Sequence, residues 1–259
     1  MTGHERTGQS GLRYLHLEET GSTNAEAMRL ALSGETGPLW VVADRQTAGR
    51  GRSGRSWTSL PGNLSASLLL SLAIPPAAAA RLSLVAGVAL FEAVRVVAGD
   101  ASLTRLSLKW PNDLLFDDAK VAGILVESSA SAGRLAVVVG FGVNLVAAPE
   151  IEGRRVGTLA DVLRRTVSPL AFLEALDAAL RHWLAVFDED RGRAEIIRAW
   201  LAVATPLGAA ISVSTTGGLV RGRFDGLDPD GALRLIDVSG DNLRFSYGDV
   251  TLASEAETS

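Results

Sequence analysis

Residues 106–144 read LSLKWPNDLLFDDAKVAGILVESSASAGRLAVVVGFGVN, and this stretch decides the fold. It holds four short apolar runs, near Leu106–Lys109, Asp113–Phe116, Val121–Ser128 and Arg134–Val143. Pro-Asn-Asp, Asp-Asp-Ala-Lys and Ser-Ala-Ser-Ala-Gly separate them, and each reads as a tight turn. Strands joined by links this short run antiparallel, so the stretch predicts a hairpin meander in an antiparallel or mixed sheet.

Working outward, Leu12–Leu17 alternates as a strand, and ETGSTNAEAMRLALS enters a helix that Ser22 or Thr23 can cap. PLWVVAD and LSASLLLSLAI read as buried strands, while Ala77–Ala98, Pro169–Asp188 and Arg193–Val203 read as helices. The expected class is α+β, with helices packed on one face of the sheet. After Pro206 short apolar runs alternate with Gly/Asp turns about every ten residues, the texture of a small β barrel. The expected division is an unstructured 1–11, a large domain at 12–204 and a small β domain at 205–259.

Composition narrows the function. The chain has 259 residues, 47% apolar and 21% charged, and a net charge of −4. An acidic chain does not advertise nucleic-acid or anionic-membrane binding. With no cysteine, disulfides, thiolate metal sites and a cysteine nucleophile are excluded. His4, His16 and His182 stand apart, so no protein metal site is expected. The polar N-terminus is not a secretory signal. Charges or Pro75–Pro76 interrupt the apolar stretches Leu64–Ala80 and Leu82–Ala98, so no membrane span is expected and the cytoplasm is the expected location.

Two further features point to a site. The chain contains two lysines, Lys109 and Lys120, both inside the opening stretch; the rest of its 25 basic residues are arginine. Lysine is a compact charge on a thin stem and arginine a wide planar fork, so placing both lysines together suggests positions where a guanidinium would not serve. The plain alternatives are a strand-end surface cation for Lys109 and, for Lys120, a surface pairing with Asp117–Asp118. The second feature is AGRGRSGRSW, Ala48–Trp57, which interleaves Arg50, Arg52 and Arg55 with Gly49, Gly51 and Gly54. Three guanidiniums this close need anions, and glycines let backbone amides approach a ligand. The spacing also spells G-x-G-x-x-G, but Pro61–Gly62 and the absence of a helical period argue against a dinucleotide fold. Gly123 inside a strand, Asp113 at a turn and Gly140–Asn144 at a strand end offer small or polar groups toward one place.

Taken in order, STN (22–24), RQTAGRGRSGRSW (45–57), LKWPNDLL (108–115), KVAGILVE (120–127) and GFGVNL (140–145) strongly resemble the bacterial biotin–protein ligase family, over about Leu12 to Leu252. The resemblance implies a class II synthetase-like biotinyl/lipoyl transferase fold with an SH3-like C-terminal barrel. It implies ATP-dependent formation of biotinyl-5′-AMP, with Mg²⁺, and transfer of biotin to a lysine of the biotin carboxyl carrier domain of an acyl-CoA or acetyl-CoA carboxylase. Carried over residue by residue, it places Ser22, Thr23, Asn24 and Gln46 at the biotin ring, with Arg50, Gly51, Arg52, Gly123, Gly140 and Gly142 around biotin. Arg52, Arg55, Trp57, Asn112 and Asn144 fall to the adenylate, and Lys120 bridges the two halves. The catalytic candidates are Lys120, Arg50 and Asp113, the last for the incoming lysine. Only 21 residues precede Ser22, so the resemblance is to the monofunctional type, without a DNA-binding domain. Lipoate ligases or octanoyl transferases, on the same fold, are the alternative.

Overall fold

The computed structural model of the chain describes residues 4–8, 11–99, 103–131, 134–188 and 192–253. Eight strands form the main sheet: β1 (His4–Thr7), β2 (Arg13–Thr20), β3 (Leu39–Gln46), β4 (Leu64–Leu72), β5 (Leu106–Lys109), β6 (Asp113–Phe116), β7 (Ala119–Ser131) and β8 (Arg134–Val143). Their order is β1-β2-β3-β4-β8-β7-β6-β5. β2 and β3 run parallel, across the helix α1 (Thr23–Leu32), and the other neighbours are antiparallel. The meander is therefore present in a mixed sheet. Its Asp117–Asp118 turn has both residues at positive φ, 45° and 64°, a conformation that short polar side chains tolerate and that suits a two-residue hairpin.

The N-terminus departs from expectation. His4–Thr7 is not unstructured but pairs with Arg13–His16, and Arg13 holds Glu5 and Glu35. Residues 1–3, 9 and 10 lie outside the described residues.

The helices also depart from the expected single face. Successive strand residues point to opposite faces. On one face Val41, Ala43, Leu69, Ala136 and Val138 pack against Ala27 and Ala31 of α1. On the other, Trp40, Leu68, Leu70, Val137 and Val139 join the apolar sides of α3 (Leu82–Ala98) and α5 (Pro169–Asp188). The two sets alternate along each strand, so β3, β4 and β8 are buried on both sides. The short α2 (Pro76–Ala79) leads into α3. Pro76–Ala98 is long and apolar enough to cross a membrane, yet 67% of its most apolar window is buried inside this protein, as befits a core helix. The short α4 (Leu159–Leu163) escaped the sequence reading. Five residues carry no periodicity, but the Thr158–Asp161 capping box that starts it was a legible signal.

α6 (Gly192–Ala202) leads to a five-stranded antiparallel sheet of β9 (Ala210–Thr215), β10 (Gly218–Leu227), β11 (Leu233–Asp237), β12 (Asn242–Phe245) and β13 (Asp249–Leu252), in the order β12-β11-β10-β9-β13. Ile211, Val213, Phe224, Leu235 and Val250 of this sheet belong to the same apolar cluster as α3 and α5.

One buried polar bridge ties β3 to α5. The Trp40 indole donates to Asp177 Oδ1 at 2.8 Å, and Arg181 donates to Oδ2 at 2.7 Å. Asp177→Ala strands a buried indole N–H and should destabilise the fold by about 2–4 kcal/mol. Asp177→Asn keeps the acceptor and should cost about half as much. Urea unfolding measures both; equal midpoints for wild type and Asp177→Ala would mean that the bridge is not a stabilising contact.

Candidate active site

The register across the middle of the sheet makes a floor. Ser65 lies opposite Gly142, Gly142 opposite Gly123, and Gly123 opposite Asp113. A second row pairs Ser67 with Gly140. These residues share the α1 face, and α1 leaves part of that face uncovered. Above it opens a cavity of about 530 Å³. A Cβ at Gly140 would stand 2.0 Å from Asn24 Oδ1, and one at Gly142 would stand 2.2 Å from Trp57 Cε2. The glycines make room first for these two side chains, a use the sequence reading had reserved for a ligand.

At the α1 end the side chains form a chain of neutral donors and acceptors. Ser22 caps the helix through Ala25 N. Gln46 Oε1 accepts from Thr23 N at 2.8 Å and Thr23 Oγ1 at 3.1 Å. Ser67 Oγ lies 2.7 Å from Thr23 Oγ1 and 2.6 Å from Asn24 Oδ1. Asn24 Nδ2 donates to Glu127 Oε2 at 2.8 Å, and the same oxygen takes Arg50 at 3.0 Å. Ser67 and Glu127 were not singled out from the sequence. The signal for Ser67 was there: serines alternate along LSASLLLSL, marking the polar side of an otherwise apolar strand.

The Arg-Gly loop folds back on itself. Trp57 N donates to Gly49 O and Gly51 N to Arg55 O, and Ser53 sits at φ 55°. A Cβ at Gly49 would meet Trp57 O at 2.4 Å, so this close approach requires glycine. Each arginine has found a carboxylate from a distant element. Arg50 meets Glu127 of β7, while Arg55 and Arg52 meet Asp249 of β13, the latter at 3.6 Å. Arg52 also donates to Asn112 Oδ1 at 3.3 Å and Gly248 O at 3.1 Å. Burial lowers the Arg52 pKa, Asp249 and Asp113 oppose this, and Arg55 adds to it; a guanidinium stays charged throughout.

Both lysines converge on one carboxylate. Asp113 Oδ1 lies 2.6 Å from Lys120 Nζ, and Oδ2 lies 3.8 Å from Lys109 Nζ. Lys109 is buried, so it is not a surface cation. Asp117 pairs with Arg105 instead of Lys120. Burial alone would raise the Asp113 pKa; Lys120, then Lys109, with Arg55 behind them, outweigh it and hold the carboxyl below its usual range. A bulge aims Lys120. The β6–β7 register slips by one residue between Leu114 and Leu115, which leaves Val121 extra. Val121 and Ala122 are consecutive, yet both are fully buried in the core, and Lys120 turns into the cavity. Its ammonium stands 5.7 Å from the Trp57 ring centroid.

Ser22, Thr23, Asn24, Gln46, Arg50, Gly51, Arg52, Arg55, Trp57, Asn112, Asp113, Lys120, Gly123, Gly140, Gly142 and Asn144 all line this one cavity. Asn144 is also structural: its Nδ2 donates to Gly157 O and its Oδ1 accepts from Asn63. Trp110 contributes to the lining, but its indole donates to Gly231 O at 3.0 Å, away from any ligand. The sequence reading missed Arg154, Arg155 and the wall from the five-stranded sheet, Ser212, Leu219, Arg221, Asp249 and Thr251. No local pattern marks these residues; only packing brings them here.

Residues 18–144 match the Biotin/lipoate A/B protein ligase family. The chain is 44% identical to the biotin–[acetyl-CoA-carboxylase] ligase of Paracoccus denitrificans over 230 residues, covering 86% of this chain and 94% of that protein. It is 34% identical to the Mycobacterium tuberculosis enzyme of the same name over 256 residues, covering 93% and 90%. Among solved structures, the biotin protein ligase from Aquifex aeolicus in complex with biotin and ATP superposes with a TM-score of 0.77 at 27% identity, covering 93% of this chain and 99% of that one.

The Asp249 contacts make a testable latch. The pairs are partly exposed, so their loss is worth up to about 1 kcal/mol, or roughly a fivefold larger open population of the loop. Asp249→Ala should therefore raise the rate of tryptic cleavage after Arg50, Arg52 or Arg55 by about twofold to fivefold. Mass mapping of the fragments reads this directly, and an unchanged rate would mean that the loop is held by its own backbone contacts.

Proposed function

The chain belongs to the biotin protein ligase family, and from the site just described we infer that it joins biotin to a carrier-domain lysine in two steps. In the first, the biotin carboxylate attacks the α-phosphate of ATP, giving biotinyl-5′-AMP and pyrophosphate. In the second, a lysine amine of the acetyl-CoA carboxylase biotin carrier attacks the acyl carbon, giving an amide and AMP. The observation that carries this reading is the convergence of the Arg-Gly loop, both lysines and the neutral Gln46–Thr23–Ser67–Asn24 chain on one cavity.

The neutral chain suits the ureido ring of biotin, whose burial demands matched donors and acceptors and no net charge. The first step brings two anions together, and cations must offset their repulsion. Lys120 is placed to do so on its thin stem, between the carboxylate and the α-phosphate. Arg50, Arg52 and Arg55 exchange Glu127 and Asp249 for phosphate oxygens as the loop closes, with Trp57 and Asn112 on the nucleotide side.

Asp113 has two successive duties in this reading. It first holds Lys120 in place. Once Lys120 moves to the adenylate, the carboxylate faces the incoming acceptor ammonium, while Lys109 keeps it compensated. Its lowered pKa keeps it ionised through neutral and mildly acid solution. The pH dependence of transfer should therefore follow the acceptor amine, near pKa 10.4 in its ordinary state.

For Mg²⁺ the side chains do not form a protein cage. Among the described residues no three His, Asp or Glu side chains gather to hold a metal, and the cavity carboxylates Asp113 and Asp249 already hold cations. An ion that enters with ATP would be ligated chiefly by phosphate oxygens and water. The five-stranded sheet, whose strands run from Ala210 to Leu252, is read as an SH3-like barrel that closes the nucleotide end, and the cytoplasm as the place of action. The lipoate alternative has less support, since related lipoate ligases lack this Arg-Gly loop.

ATP–pyrophosphate exchange tests the first step without any acceptor. It should require biotin and not accept lipoate; exchange with lipoate alone would reverse the specificity. Lys120→Ala should slow exchange by about 10²–10³, and near-normal turnover would remove Lys120 from the chemistry. Asp113→Asn should slow both steps, transfer more than exchange. Equal losses would leave Asp113 only its duty to Lys120.

A further inference from the structure

The polar chain at the α1 end holds fewer protons than it has contacts. Three oxygen-to-oxygen contacts run along it: Asn24 Oδ1 to Ser67 Oγ at 2.6 Å, Ser67 Oγ to Thr23 Oγ1 at 2.7 Å, and Thr23 Oγ1 to Gln46 Oε1 at 3.1 Å. Amide oxygens only accept, and each hydroxyl carries one proton. Two protons, those of Ser67 and Thr23, therefore serve three contacts, and one contact goes without.

Glu127 of β7 decides which one. Its Oε2 takes Asn24 Nδ2 at 2.8 Å, and Leu125 O takes the same nitrogen at 3.2 Å. Both are acceptors, so the Asn24 amide nitrogen faces β7 and its oxygen faces Ser67. The carboxylate, closer and charged, is the stronger hold. Ser67 must then donate to Asn24 Oδ1, and the Ser67–Thr23 contact must use the Thr23 proton. At the other end the Thr23 backbone N–H, at 2.8 Å, turns the oxygen of Gln46 toward Thr23. Distance alone lets the Thr23 hydroxyl donate to Gln46 as well, but its single proton is committed to Ser67, in the shorter contact. Thr23 Oγ1 and Gln46 Oε1 are left facing each other as acceptors, and both residues line the cavity.

We propose that Glu127 is a positioning residue that sets this proton order, acting through Asn24 and Ser67, and that the order selects a ligand which brings a donor to Thr23 and Gln46. The proposal rests on the biotin reading, in which a ring N–H of the ureido group supplies the missing proton. The disulfide ring of lipoate has no N–H and would leave two buried acceptors opposed. Without the carboxylate the reverse order becomes available. Asn24 turns its nitrogen to Ser67, Ser67 donates to Thr23, and Thr23 donates to Gln46. All three contacts are then filled from within, and the demand for a donor disappears. Glu127 works at a distance, since it does not itself line the cavity. Its Oε2 also holds Arg50 in the empty site, but the contact with Asn24 does not need Arg50, so the order persists once the loop arginine leaves for a phosphate.

The test is calorimetric binding to the full-length protein, without ATP, of biotin and of its two cyclic carbamates, in each of which one ring N–H is replaced by oxygen. The wild-type protein should bind at least one carbamate about 10²- to 10³-fold more weakly than biotin, because the replacement sets a further acceptor against two. In Glu127→Leu, which frees the Asn24 amide, that ratio should fall to about tenfold or less. Glu127→Ala gives the same reading should Glu127→Leu fail to fold. Ser67→Ala cuts the chain one link nearer the ligand and should lower the ratio in the same way. Combining the Glu127 and Ser67 changes should do no more than the worse of them alone, because the two residues act in series. A residue that only supports the fold weakens biotin and carbamate alike, so an unchanged ratio in the Glu127 variant overturns the proposal. Independent, multiplying effects of Glu127 and Ser67 overturn it too. Equal binding of biotin and both carbamates by the wild-type protein would defeat the proposal and leave the ligase reading standing. Absence of biotin binding would instead defeat the ligase reading on which it rests.

Discussion

The register of β4, β8, β7 and β6 is the constraint on which the site depends. It sets Ser65, Gly142, Gly123 and Asp113 in one row across four strands. A one-residue slip would exchange the two faces of a strand, putting Val143 and Ala122 on the floor and turning glycines into the core. The register is protected because the other face is fully committed. Leu68, Val137 and Val139 pack against α3 and α5, and cannot be displaced without opening that core. The bare floor thus persists because of the apolar packing beneath it.

Electrostatics divide the site into layers. At the sheet, two lysines share one buried carboxylate, which leaves one net positive charge on the floor of the cavity. Above it, three arginines are held by Glu127 and Asp249, acidic groups carried on other elements. Every interior cation therefore has a partner to leave and a partner to return to. This lowers the cost of an empty site, since unpaired buried charge is far more expensive than paired.

The five-stranded sheet contributes more than an appended unit would. Its inner face continues the core of α3 and α5, and its outer face walls the cavity. The Trp110 indole bonds Gly231 O at one end of the contact, and Arg52 bonds Gly248 O at the other. The Arg-Gly loop is thus held by residues from almost the opposite end of the chain.

The sequence by itself determined the elements whose signals are local. Turn chemistry defined the meander, Ser22 or Thr23 marked the start of α1, and Gly, Arg and Lys patterns picked out residues that share one cavity. It could not determine which faces the helices cover, because α1 and α3 are both apolar enough to pack on either side. The resemblance assigned Lys120 to the site, but strict alternation aims its side chain away, and only the one-residue bulge at Val121 turns it inward. Nor could the sequence show that His4–Thr7 would pair, that Ser67 and Glu127 link the polar chain, or that Asp249 and Arg221 reach the site. These depend on contacts between residues far apart in the chain, and such contacts follow from packing, not from local pattern.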